Sequence, residues 1–350
     1  MPTQSRRLPQ LRVTVNARCG RTCFYCRPSG EALKTAANEE LTLDQLIQVA
    51  TACARQGITS IKLTGGDPAL WPPLVDAVRS LKAVGFTDIH VISRHPKIGT
   101  LAGALAEAST DLINLSIDTL RPDLHRQITG VNDLPLVLNA VSQCVASGVP
   151  VKVNMVVMGG INDDEVEVVA AELAGRGVQE LKLLDVIQDL DVGAESFARR
   201  LSKVRGTTLK DLYVPLDGIV QLLRPQAISE KVIRQGGLGH PMLSMRLMSG
   251  LTVTVKSHTA GAWYGSICHT CAYYPCHDAL MALRLTADMR LQFCLLRDDA
   301  AVDLRPLVAL GDDALQTTIS TALAVYEDAV FNDVQTQPHL GRVIPLVIAS

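Results

Sequence analysis

Over the first 225 residues the chain changes its hydrophobic period again and again. Short runs rich in β-branched and aliphatic residues, at 11–16, 58–64, 88–93, 112–116, 149–157 and 180–186, predict strands. Between them apolar residues recur three and four apart near 43–55, 73–84, 101–108, 134–147 and 165–174, which predicts amphipathic helices. Thr42 and Asp44 suit the start of the first helix, and Gly57 suits its end. Strand-then-helix units of roughly 30 residues imply parallel strands joined by right-handed crossovers. Six such units fall short of the eight that close a TIM barrel. The expected fold class is therefore α/β, an open, partial (β/α)6 barrel over residues 1–225, with its chemistry at the carboxyl ends of the strands.

Beyond Pro225 the alternation stops. Gly236, Gly237 and Gly239 interrupt it, residues 251–255 read as a strand, and 283–286 with 291–295 read as a hairpin around Ala287, Asp288 and Met289. Residues 226–350 are expected to form a smaller second domain.

Composition narrows the class. The 350 residues are 47% hydrophobic, enough for a large core, and the net charge of −2 favours neither nucleic acid nor a membrane as partner. No run approaches the ~20 apolar residues of a membrane span. The first ten residues are polar and precede no apolar signal core, so a cytoplasmic protein is expected.

The nine cysteines then supply the chemistry. Cys53 and Cys144 lie on apolar helical faces and read as core residues. The others fall into two groups, Cys19/Cys23/Cys26 and Cys268/Cys271/Cys276/Cys294, and such clustering favours metal ligation over cross-linking. CxxxCxxC just after the first strand can hold three irons of a 4Fe-4S cluster and leave the fourth open. An open iron can chelate the amino and carboxylate groups of S-adenosylmethionine (SAM), whose reductive cleavage gives a 5'-deoxyadenosyl radical. A zinc site would call for a fourth nearby ligand, and a redox pair would leave Cys19 unexplained. The second group fits either a closed zinc site or another iron–sulfur cluster, with His269 and His277 as flanking substitutes.

The segment from Leu11 through Cys26 resembles the opening of the radical SAM superfamily, and within it the GTP 3',8-cyclase family. The likeness continues in Ile61-Lys-Leu-Thr-Gly-Gly-Asp-Pro68, Ile113-Asn-Leu-Ser-Ile-Asp118, Val151-Lys-Val-Asn-Met-Val-Val157 and Arg284-Leu-Thr-Ala-Asp288. The resemblance implies a SAM site built from Tyr25, Gly65, Gly66, Ser93, Ser116 and Lys152. It also implies an auxiliary 4Fe-4S cluster in a twitch-type C-terminal domain, and a reducing partner such as flavodoxin or ferredoxin. In that family three cysteines hold the auxiliary cluster, so Cys276 is an extra candidate.

Other departures concern the substrate. Ser60 and Lys62 stand where the family has a basic pair, Lys182 replaces an Arg, and only Arg284 remains of an arginine cluster. A lysine offers phosphate a point charge and not a bidentate fork. Lys62, Lys182 and Arg284 are the candidate catalytic and substrate-facing residues, with Arg94 beside them and Asp185 on the opposite pleat parity from Lys182. The expected substrate is a small polar anion, such as a nucleoside or sugar acid of an antibiotic pathway, for example in cytosylglucuronate decarboxylation. GTP cyclisation is the alternative, and a non-catalytic iron–sulfur electron-transfer protein is the rival of another class.

Overall fold

A computed structural model describes residues 8–23, 25–26, 39–188, 206, 208–235, 237–276, 279–297 and 299–332. The alternating part folds as its periodicity requires. Strands β1 (Gln10–Thr14), β2 (Ser60–Thr64), β3 (Asp88–Ser93), β4 (Leu112–Ser116), β5 (Val151–Val156) and β6 (Glu180–Leu184) lie side by side in sequence order, all parallel. Helices α1 (Leu43–Arg55), α2 (Leu74–Val84), α3 (Lys97–Glu107), α4 (Pro122–Thr129), α5 (Leu134–Ala146) and α6 (Val166–Gly175) run between them. Thr42 starts α1 with a capping box: its hydroxyl accepts from the Gln45 amide, and the Gln45 side chain accepts from the Thr42 amide.

The outward strand residues, such as Leu11, Val13, Ile61, Leu63, Ile89, Val91, Val153 and Leu181, are fully buried against the helices. Inward positions carry polar side chains instead. That is the reverse of a filled barrel, and it leaves room inside.

The rest of the chain lengthens this sheet at both edges. After α7 (Asp217–Leu223) come β7 (Ala227–Gln235), β8 (His240–Leu247) and β9 (Thr252–Lys256), and β9 pairs parallel to β6. Next follow β10 (Ala262–Tyr264), α8 (Ser266–His269), β11 (Ala282–Leu285), β12 (Arg290–Gln292) and β13 (Val302–Asp303), and β11 pairs parallel to β1. Helices α9 (Arg305–Leu310) and α10 (Asp312–Glu327) then precede β14 (Val330–Asn332), which pairs with β10. The parallel order is therefore β11-β1-β2-β3-β4-β5-β6-β9, with antiparallel strands outside it. β9 and β11 do not pair with each other, and the barrel stays open.

Two sequence expectations change. Gly237 and Gly239, read as part of a break, lie between the paired strands of the β7–β8 hairpin. Helix α4 was missed because its eight residues offer few apolar positions, although Pro122 at its first turn is a start signal. Among the described residues no helix is long and apolar enough to cross a membrane.

Candidate active site

The first cysteine group sits on the loop after β1, held from one side by the segment after β2. Gly66 N donates to Asn16 O at 2.7 Å, Asp67 N donates to Arg18 O at 2.6 Å, and Asn16 Nδ2 donates to Asp67 O at 3.0 Å. A Cβ on Gly66 would lie 2.3 Å from Arg18 O, and one on Gly65 would lie 2.7 Å from Asn16 Oδ1. These glycines thus let two backbones meet, which places the loop carrying the thiols.

Cys23 is buried and Cys26 exposed, and Cys26 N donates to Cys23 O at 3.0 Å. Burial, with Asp67 and Cys23 adding to it, pushes the Cys19 thiol up to about 11, and burial also raises Cys23. Such thiols keep their protons until a cation displaces them. Three thiols on one backbone-pinned loop fit a 4Fe-4S cluster with an open iron in their donor chemistry.

Beside them is a network the sequence did not reveal. Tyr25 Oη donates to Asp118 Oδ2 at 2.6 Å, and Arg94 Nη1 donates to the same oxygen at 2.6 Å while its Nη2 reaches Tyr25 Oη. Asp118 Oδ1 accepts from Val156 N at 3.0 Å, tying the network to β5. Arg94 is therefore committed to the barrel mouth by an ion pair and does not project freely into the cavity.

Ser93, expected at SAM, is engaged by Asp67. It is buried and donates to Asp67 Oδ1 at 2.7 Å, while the other Asp67 oxygen accepts from Arg94 N and His95 N. A hydroxyl so engaged positions the loop after β3. Ser116 ends β4, in register with Asn154 of β5.

Inside the barrel is a cavity of about 880 Å³, with Tyr25 and Cys26 at one end and Met281 and Leu295 at the other. Its wall is the inward alternation of the strands: Arg12, Lys62, Lys152, Lys182 and Lys256 are the cations, against Asp88, Glu180 and Asp185. Lys152, expected at SAM, forms an ion pair with Glu180 on the neighbouring strand. Asp88 accepts from Ser60 Oγ at 2.6 Å and binds His90 Nε2 at 2.7 Å. Arg284, expected at the mouth, is instead buried at the β1–β11 seam in register with Arg12. Asp185 lines the same cavity as Lys182 because it follows the last residue of β6, where pleat parity no longer applies. Asn114 and Asn154 also line the cavity, and each has a buried Oδ1 with no hydrogen-bond partner among the described residues.

These basic groups repel one another in a buried site. Burial, followed by the charges of Arg12 and Lys152, pushes Lys62 down to about 7; burial and the neighbouring lysines also hold Lys182 well below the ordinary lysine value. A bound polyanion would return Lys62 to its charged form, so above pH of about 7 binding takes up a proton and weakens as pH rises. Tripolyphosphate binding, measured by calorimetry, should lose up to about tenfold in affinity per pH unit for one linked proton. Lys62→Arg should flatten that slope, since Arg stays charged. A flat profile in the wild type would rule out this linkage.

The second cysteine group is gathered too. Cys268, Cys271, Cys276 and Cys294 line one small apolar pocket with Tyr264, Leu296 and Arg297. His269 is exposed, and His277 lies outside the described residues. Among the described residues no three His, Cys, Asp or Glu side chains are drawn together as ligands of a single ion. An iron–sulfur cube spaces its thiolates around a larger body, which a shared pocket fits. Cys53 and Cys144 are core residues on α1 and α5, each thiol pushed up to about 12 by burial.

Comparison with known proteins agrees with this picture. Residues 13–173 match the radical SAM superfamily. A probable GTP 3',8-cyclase of Sulfurisphaera tokodaii is 27% identical over 326 residues, covering 93% of this chain and 93% of the relative. One of Pyrococcus abyssi is 28% identical over 311 residues, covering 88% and 92%. The GTP 3',8-cyclase of Alkaliphilus oremlandii is 35% identical over 165 residues, covering 47% of this chain and about half, 52%, of that relative. In fold alone the chain is similar to Streptococcus suis SuiB bound to S-adenosylmethionine, with a TM-score of 0.55 at 12% identity over 89% of this chain and 68% of that one.

Proposed function

We propose that this chain, whose residues 13–173 match the radical SAM superfamily, acts on a purine nucleoside triphosphate held in the barrel cavity, as a GTP 3',8-cyclase. The observation that carries this reading is the basic lining of the cavity, five Lys and Arg side chains against three carboxylates, one of which already pairs with Lys152; a bound polyanion would restore the charge that burial takes from Lys62 and Lys182. A triphosphate brings several negative charges to such a wall. A uronosyl nucleoside, the substrate first suggested by the altered basic residues, brings a single carboxylate and would leave most of the cations unmatched. The names of the relatives favour the cyclase as well.

The enzyme uses SAM and a 4Fe-4S cluster, which when bound supply a 5'-deoxyadenosyl radical that removes hydrogen from the substrate. In this reading Cys19, Cys23 and Cys26 hold the cluster, and flavodoxin or ferredoxin delivers the electron. The backbone at Gly65 and Gly66, with Ser116, holds the polar end of SAM, and Tyr25, fixed by Asp118, borders the adenine. Arg12, Lys62, Lys182 and Lys256 bind phosphate oxygens. The unpartnered oxygens of Asn114 and Asn154 accept from base or ribose donors, since a buried acceptor gains from any donor that reaches it. Burial between the strands keeps water from the radical.

Anaerobic incubation of the reconstituted enzyme with SAM, dithionite and GTP tests the proposal. GTP consumption with release of 5'-deoxyadenosine is expected. Release of carbon dioxide from a uronosyl nucleoside, with GTP untouched, would overturn it.

A further inference from the structure

We infer that the second thiol site holds its cluster with four cysteines, Cys276 completing the set, and that this cluster is walled off from the substrate cavity. The inference rests on the placement of the substrate in the barrel only for its second half.

All four cysteines line one pocket. Cys276 is also tied down on its own account. Tyr264 Oη donates to Cys276 O at 2.8 Å, Ala279 N donates to Cys276 Sγ at 3.4 Å, and Cys276 packs on the small core of Ala262, Tyr264 and Ala279. Cys294 follows β12, so the ligand set joins a loop to the β11–β12 hairpin and closes the pocket from both sides.

The wall is visible in the alternation after β12. Cys294 and Leu296 line the thiol pocket, while Leu295 between them lines the substrate cavity. Met281 joins Leu295 on the cavity side, and none of the four cysteines is among the residues lining that cavity. Arg297 completes the surroundings. It donates to Ile267 O at 2.9 Å and pairs with Asp299, and it sits against Cys271. A cation there favours the anionic, thiolate-rich form of the site. With four thiolates no iron is left open for a substrate atom, in contrast to a three-cysteine auxiliary site.

The test uses the full chain with Cys19, Cys23 and Cys26 replaced by Ala, which isolates the second site. After reconstitution with iron and sulfide and reduction with dithionite, its electron paramagnetic resonance signal should be unchanged by cyanide and by GTP. Adding Cys276→Ser should shift that signal or make it respond to cyanide. If that variant loses its iron, the insensitivity of the parent to cyanide decides the question alone. A cyanide-induced shift in the parent, a Cys276→Ser signal identical to the parent's, or zinc in place of iron would overturn four-cysteine cluster ligation. A GTP-induced shift in the parent would overturn the wall while leaving the cyclase reading intact. Failure of the wild type to consume GTP would remove that reading and leave the ligation result standing.

Discussion

Replacing Cys19, Cys23 and Cys26 together with Ala should abolish SAM cleavage and halve the bound iron, while the second thiol pocket stays loaded. The loop that carries these residues does not depend on its thiols for its shape. Arg18 Nη2 donates to Leu70 O at 3.0 Å, Thr22 N donates to Thr129 O at 2.9 Å, and Gly66 and Asp67 pin the backbone from the other side. Removing three sulfurs therefore takes away donors and little packing, with Cys23 the one buried thiol of the three. Iron and sulfide analysis and chromatographic assay of 5'-deoxyadenosine measure the two outcomes. The expected activity is the uncatalysed background, because the variant loop keeps no thiol to hold iron. Persistent SAM cleavage in the triple variant would contradict the assignment. A wild type that binds two clusters and never cleaves SAM would instead favour the electron-transfer rival.

The positions that could be read from sequence are those set by local pattern. The inward polar positions of β1 to β6 follow from a period of two, and the helices between them from a period near four; Lys62, Lys152 and Lys182, singled out by the resemblance, fall on those inward positions. Arg12 obeys the same rule on β1, between buried Leu11 and Val13, and could have been found by applying it there. What stayed hidden depends on contacts between distant segments. Lys256 enters the cavity only because β9 pairs with β6, and Arg284 is buried only because β11 pairs with β1. Asp67 and Asp118 read as loop acids, yet each gathers several donors from other strands. The resemblance placed Ser93 and Lys152 at SAM and gave no sign of the partners, Asp67 and Glu180, that engage them in the fold. A motif can locate a residue on the right strand end without showing which partner takes its hydrogen bond.

Gly66→Ala should cost activity about as severely as loss of a ligand, for a reason that involves no chemistry at residue 66. The added Cβ would stand 2.3 Å from Arg18 O, 2.4 Å from Arg18 C and 2.5 Å from Ala17 O. All three are backbone atoms of the cysteine loop, so no side chain can rotate away. Either the loop after β2 moves or the thiol loop does, and both moves break the Gly66 N to Asn16 O and Asp67 N to Arg18 O hydrogen bonds. Overpacking of this kind costs about 1–3 kcal/mol in a core, a loss a domain of this size can survive. The placement of Cys19, one residue beyond Arg18, is less tolerant, since about 1 Å of misplacement is enough for a loss on the order of 100-fold in rate. The variant should therefore remain folded by circular dichroism and fall about 100-fold or more in SAM cleavage. Gly103→Ala supplies the control: it lies on α3 with nothing within 4 Å of an added Cβ. There the helix should gain up to about 1 kcal/mol and the activity should not change. Full activity in Gly66→Ala would show that the two segments do not set the position of the thiols.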